Sequence, residues 1–143
     1  MEGLLTKQSL KEWIEKGADL SLMKELKGNI EKKDFSQGMV RKFYQQVVHF
    51  TSQLASWNRS KEDLFQMLLK LYVLVSYERG RDNRDVTLLS TIESAIEILD
   101  EKVRNAKEEE EWRRYYERFA FLLESIVAFH KEAAYVKKAL GFR

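Results

Sequence analysis

The chain has 143 residues, 44% hydrophobic and 34% charged, with a formal net charge of +2 and no cysteine or proline. That length predicts one domain around one hydrophobic core, and the apolar content excludes disorder throughout. The missing cysteines exclude a disulfide framework, a thiolate zinc site and a cysteine nucleophile, and the near-neutral charge means that any nucleic-acid binding rests on where cations sit, not on bulk attraction. Only 6 glycines punctuate the chain, which predicts mostly helix with few, short connections. The expected fold is all-α, a compact bundle of about five to six helices.

Residues Met1 to Lys7 lack the basic-then-apolar plan of a signal peptide, and no window approaches about 18 consecutive apolar residues. The expected location is the cytoplasm, with no membrane partner.

Thr6 to Lys16 reads as a short helix with Leu10, Trp13 and Ile14 on one side and Gly17 as its stop. Asp19 caps a second short helix carrying Leu20, Met23 and Leu26, with Gly28 as its expected end. Both are weak alone, so residues 1–35 are expected to be a peripheral N-terminal part and residues 36–143 the main helical bundle. Ser36 caps a longer helix to about Ser56, its apolar positions Val40, Phe43, Tyr44, Val47, Phe50 and Leu54 following the helical period. Trp57-Asn58-Arg59 breaks it. Ser60 and Asp63 form a capping-box pattern with Asp in place of Glu or Gln. The next helix carries Leu64, Phe65, Leu68, Leu71, Tyr72 and Val75 and ends near Gly80. Beyond the polar connection Arg81 to Asp85, the residues Leu89, Ile92, Ile96, Leu99 and Val103 recur at three- and four-residue steps, the pattern of a packing seam. After the acidic run Glu108 to Glu111, a last helix to about Leu140 carries a wide apolar band from Trp112 to Phe129. That band is expected to be central to the core or shared with a second chain.

No catalytic constellation is visible. His49 and His130 belong to no His-x-x-x-His or Glu-x-x-His pair, and no glycine-rich loop precedes a lysine. Glu93 and Glu97 share a helix face, but acids on a charged helix are ordinarily solvated. His49, among Gln45, Gln46 and Gln53, reads as a surface histidine ahead of an RNA contact. His130 reads equally as a packed core-edge residue and as a functional contact. The expectation is a non-enzyme with no cofactor and no metal.

The cations then carry the argument. Arg41 and Lys42 lie near a helix start, where the dipole already favours anions. Two cations there suggest a ligand supplying negative charge, although ordinary surface residues remain the simpler reading. Arg79, Arg81 and Arg84 gather around Gly80, with Tyr77 placed to stack or to pack. Lys70 interrupts an apolar run, so it either snorkels from the core edge or faces a groove. Arg113, Arg114 and Arg118 among the acids of the last helix read as mostly intrahelical pairs.

Three of these segments resemble the small subunit of type III-A (Csm-type) CRISPR effector complexes. Ser36-Gln37-Gly38-Met39-Val40-Arg41-Lys42-Phe43-Tyr44 resembles its Ser-x-Ile-Arg-Lys-Phe-Tyr helix start. Leu69 to Arg81 resembles its Leu-Lys-x-x-x-Ala-Tyr-x-x-Gly-Arg segment. Phe121 to Lys131 resembles its Glu-Ala-Ile-Val-Ala-Tyr-His-Lys segment. Their order, over residues 36–131, is more specific than any one of them, and residues 1–35 show no such motif. Phe129 stands where the family has tyrosine, and Glu132-Ala133-Ala134 where an aromatic and glycines are expected, so the last helix is expected to continue further.

The resemblance implies a non-catalytic subunit stacked as a minor filament along the crRNA–target RNA duplex, touching the target strand through its backbone and contacting other Csm subunits. Carried over by position, Arg41, Lys42, Lys70, Arg79, Arg81 and Lys131 become the RNA contacts. Such cations neutralise phosphates without reading bases, so guide pairing supplies the sequence specificity. The aromatic band of the last helix is a further expected self-association surface, giving a homodimer with possible helix exchange. The alternatives are a helical adaptor binding only proteins, favoured if Arg41, Lys42, Arg79 and Arg81 are scattered and each paired with an acid; the related Cmr-type small subunit; and, more remotely, an enzyme.

Overall fold

A computed structural model of the chain describes residues 3–33, 35–57, 60–81 and 85–140. The break at Asn58-Arg59 and the connection Asp82 to Arg84, with the candidate cation Arg84, lie outside them. Among the described residues six helices follow one another: α1 (Lys7–Lys16), α2 (Leu20–Glu31), α3 (Gln37–Trp57), α4 (Lys61–Arg81), α5 (Val86–Asn105) and α6 (Glu109–Ala139). They form the all-α bundle that the composition predicts.

The helix ends follow local chemistry. The Thr6 hydroxyl accepts from Ser9 N, the Asp19 carboxylate from Leu22 N, and the Ser36 hydroxyl from Met39 N at 3.1 Å. Each satisfies an N–H left over by the first turn. Ser60 and Asp63 bond reciprocally: Ser60 N donates to Asp63 Oδ2 at 2.8 Å, and Asp63 N donates to Ser60 Oγ at 3.3 Å. Gly17 ends α1 at φ 94°, a left-handed value that suits glycine.

α2 departs from expectation. It runs through Gly28 to Glu31 and buries Leu22, Leu26 and Ile30, while Leu20 stays exposed. A Cβ at Gly28 would meet nothing, so this glycine answers to no turn. Leu26 is buried as expected, but the face is turned so that Leu22 and Ile30, not Leu20, join it against α6.

One core cluster runs through the bundle. It includes Leu10, Trp13, Ile14, Leu22, Leu26 and Ile30 from the first two helices, together with residues of α3 to α6. Trp13 is fully buried and donates its indole N–H to the Arg118 carbonyl at 2.9 Å. Arg118 in turn donates to the carbonyls of Ile14 and Glu15 at the end of α1. The expected intrahelical role therefore fails for Arg118, whose guanidinium caps a neighbouring helix instead. It holds for Arg113, which pairs with Glu109 at 3.0 Å. Ion pairs Lys102–Glu15 and Lys27–Glu132, both 2.9 Å, tie α1 to α5 and α2 to α6. The Lys102 hydrogen bond holds the Glu15 carboxyl below its ordinary pKa.

α6 is the central element, packing on α1, α2, α3 and α5. Trp112, Tyr116, Phe119, Leu122, Leu123 and Ile126 are buried within the chain. Of the two expectations for this band, the place at the centre of the core is the one observed: α6 is apolar over a wide arc because several helices of its own chain surround it. It continues to Ala139, as expected where glycines are missing after His130. Among the described residues no helix is long and apolar enough to cross a membrane.

Candidate nucleic-acid interface

Of the sequence-derived cations, Lys42, Lys70 and Arg81 lie along the boundary of α3 and α4. Glu78 lies four, three, four and three residues along the buried seam Leu64, Leu68, Leu71 and Val75, so its carboxylate is carried inward. The Glu78 side chain is only 2% exposed, and its two oxygens hold cations from two helices: Oε2 accepts from Lys42 Nζ at 3.0 Å and Oε1 from Arg81 at 3.3 Å. A buried carboxylate without partners costs several kcal/mol, so this pairing is required. It also answers the unfavourable placement of Lys42 near the start of α3, because the negative charge is supplied within the chain.

Arg79 turns the other way. Both of its terminal nitrogens bond to Glu93 on α5, at 3.1 and 3.2 Å. Glu93, read from the sequence as a solvated acid, is therefore part of a helix–helix tie, while Glu97 remains exposed. Tyr77 is 62% exposed, with the Arg81 guanidinium 5.8 Å from its ring centroid. It does not pack into the core.

Lys70 lies further along the same boundary. With Gln46, His49, Gln53, Asp63 and Gln66 it lines a polar furrow of about 300 Å³ between α3 and α4. His49 is exposed and shares a 3.0 Å hydrogen bond with Gln53. Lys42, Gln46, His49 and Gln53 recur at helical spacing on α3, so Lys42 and Lys70 belong to one edge. Arg41, Lys70 and Lys131 are exposed and have no acidic partner among the described residues.

His130 packs: its ring stacks on Phe35 at 4.4 Å and 18°. That contact carries the segment bearing Lys131 to the entry of α3. Ser36 beside it donates its N–H to Asp85 at 2.7 Å, which ties the entry of α3 to the entry of α5.

The structure thus joins Lys42, Arg81 and Lys70 along one edge and leaves Arg41 beside it on α3. Lys131 lies near the α3 entry, and Arg79 is drawn off toward α5. Sequence reasoning missed Glu78 and Gln66. The signal for Glu78 was its place on the buried step of α4. Among the described residues there is no group of three or more His, Asp or Glu placed to hold a metal. A second groove, about 420 Å³ between α3 and α6, is lined mainly by Val47, Val48, Ala120 and Phe121 with Glu117 and Glu124 at its rim.

The model of the Csm2 type III-A family matches residues 9–136. The chain belongs to that family. It is therefore a small subunit of the type III-A CRISPR complex, whose assembly includes other Csm subunits. The match begins inside α1, so family likeness reaches well beyond the three motifs of residues 36–131. No curated protein matches the chain, and no solved structure does.

Proposed function

We propose that the chain is a non-catalytic subunit that binds the backbone of RNA in the type III-A complex, lining the crRNA–target duplex and touching the target strand through the α3–α4 edge. The observation that carries this is the joining of Lys42 and Arg81 on the buried Glu78, in line with Lys70 and a row of amides. Fixed cations suit phosphates, and glutamine side chains suit phosphate and ribose hydroxyl oxygens. Arg41, Arg79 and Lys131 complete the proposed contacts. The reading includes a cytoplasmic location, self-association as a minor filament or homodimer, and residues 1–35 acting as an appendage to the bundle of residues 36–143.

A protein-only adaptor is the second reading. It is favoured by the pairing of Lys42, Arg79 and Arg81 with acids. It is disfavoured by the clustering of two of them on one carboxylate and by the three cations that lack an acid.

The test is binding of the full chain to single-stranded RNA and to an RNA duplex across a salt series, against a variant with Arg41, Lys70 and Lys131 changed to Glu. Backbone binding predicts affinity that falls as salt rises, by about 0.7 log unit per phosphate contact on single strands, and is lost in the variant. Salt-insensitive binding, or equal binding by the variant, removes these residues from the interface. No binding to either RNA, with retained binding to Csm partners, supports the adaptor.

A further inference from the structure

We propose that the end of α6, from Lys131 to Ala139, is an arm that lays Tyr135 on an unpaired base of RNA while Lys131 and Lys138 hold the phosphates beside it. This rests on the backbone reading above and deepens it, because it adds a contact that a fully paired duplex cannot make.

α6 runs antiparallel to α3. Tyr116 donates to the Val47 carbonyl, Tyr44 donates to Glu124, and the His130 ring stacks on Phe35 just ahead of α3. The rest of α6 therefore passes beyond the start of α3. Glu132 still reaches the bundle through its 2.9 Å ion pair with Lys27. From Ala134 to Leu140 every residue is exposed, so all faces of the helix stand in solvent. The arm leaves the bundle near the first turns of α3 and the end of α4, where Lys42 and Arg81 meet on Glu78.

The free turns are not uniformly polar. Tyr135 is 71% exposed, and Lys131, Tyr135 and Lys138 stand at four- and three-residue steps on one face. Lys131, Lys137 and Lys138 have no acidic partner among the described residues, and the acid of the arm, Glu132, is held by Lys27. Cations in a last turn suit the helix dipole by themselves, so Lys137 and Lys138 alone name no ligand. A tyrosine ring in solvent between Lys131 and Lys138 has no such reason. An aromatic face flanked by cations is what a single strand needs: the ring takes the base and the ammonium groups take the phosphates. In a duplex each base is already covered by its neighbours, so only an unpaired one reaches the ring. At 1.5 Å per residue Lys131 and Lys138 lie about 10 Å apart, which leaves room for one base between two phosphate contacts. Stacking accepts every base, so the arm adds affinity for single strands and no sequence preference.

The experiment uses full chains carrying Tyr135→Ala, Tyr135→Trp or Lys138→Ala. Each is bound to a mixed-sequence single-stranded RNA and to the same RNA fully paired, across a salt series. Tyr135→Ala is expected to weaken single-strand binding by about tenfold and to leave duplex binding within about twofold. Its salt slope stays that of the natural chain, because a phenol releases no counterion, whereas Lys138→Ala lowers the single-strand slope by about 0.7. Tyr135→Trp restores the affinity. Alanine is the better helix former, so a loss in Tyr135→Ala does not come from a frayed arm. Single-strand binding undiminished in Tyr135→Ala, or an equal loss on both RNAs, overturns the stacking arm and leaves the backbone reading standing. Undiminished RNA binding with lost incorporation into the Csm complex gives the arm a protein partner and likewise overturns it. A natural chain that binds neither RNA overturns both.

Discussion

Glu78 and Lys42 meet across the α3–α4 boundary, Oε2 accepting from Nζ at 3.0 Å while the Glu78 side chain is 2% exposed and Lys42 remains 46% exposed. The lysine thus serves the fold with one end of its charge and faces solvent with the rest. Lys42→Ala is expected to lower stability by about 1–3 kcal/mol, the cost of a buried acceptor losing a donor. Arg81 stays in place to hold the other oxygen. Adding Glu78→Gln to Lys42→Ala is expected to restore part of the loss, because a neutral amide has no charge to bury. Urea denaturation of the four chains in this cycle checks both statements. An unshifted midpoint for Lys42→Ala means that Glu78 does not depend on the pair.

Arg79 and Arg41 are two cations of opposite standing. Arg79 is held by both oxygens of Glu93, so Arg79→Glu opposes two carboxylates and is expected to cost about 1–2 kcal/mol of stability. Arg41 has no acidic partner among the described residues. Arg41→Glu is expected to leave stability within about 0.5 kcal/mol while reducing the salt slope of RNA binding by about 0.7. Melting curves and the RNA salt series on the same preparations separate the two effects.

Tyr116 is fully buried, donates its hydroxyl to the Val47 carbonyl at 2.9 Å, and lies 2.7 Å from the Thr51 hydroxyl. Burial pushes its pKa up to about 12. In the unfolded chain the phenol ionises near its ordinary value of about 10. Between those values the folded state binds more protons than the unfolded state, so stability falls as pH rises. Tyr116 therefore contributes no pH dependence at neutrality and a loss of stability from about pH 10 toward 12. Tyr116→Phe is expected to cost about 1 kcal/mol at pH 7 and to flatten the alkaline limb relative to the natural chain. Chemical denaturation at pH 7, 9 and 10.5, values chosen on either side of about pH 10, tests this. An alkaline limb identical in both chains assigns the titration to other groups.

The N-terminal segment is pinned at both polar groups of Leu4, the Asn29 amide donating to its carbonyl at 2.7 Å and a buried hydroxyl accepting from its N–H. Leu4 N donates to Thr91 Oγ1 at 2.6 Å, and Thr91 donates to the Thr87 carbonyl at 2.9 Å. Thr91→Val keeps the shape and leaves the Leu4 N–H without its acceptor. The expected loss is about 1–3 kcal/mol, with faster amide exchange at Leu4. Gly3→Ala tests the same contact sterically, since its Cβ would lie 2.7 Å from Thr91 Oγ1. Unchanged exchange in both variants means that the segment is held by Leu4 and Leu5 packing and by the Asn29 amide on the Leu4 carbonyl.

Periodicity, capping residues and the scarcity of glycine and proline were enough to place most helices and the buried seam of α5, because these depend on residues three and four apart. The resemblance carried by Ser36 to Tyr44, Leu69 to Arg81 and Phe121 to Lys131 was enough to point to the family. What a chain of local patterns does not contain is which of two apolar faces meets a neighbour. Leu26 is buried as its pattern suggested, but Leu22 and Ile30 rather than Leu20 join it inside, and of the two places open to the aromatic band of α6 the core of its own chain is the one it takes, because distant helices close around it. Charges behave the same way. Arg41, Lys42 and Arg79 read alike in sequence, yet one is solvated, one rests on a buried acid and one is bound to α5. Only the tertiary structure decided this, because an ion pair between helices depends on distances that packing alone sets.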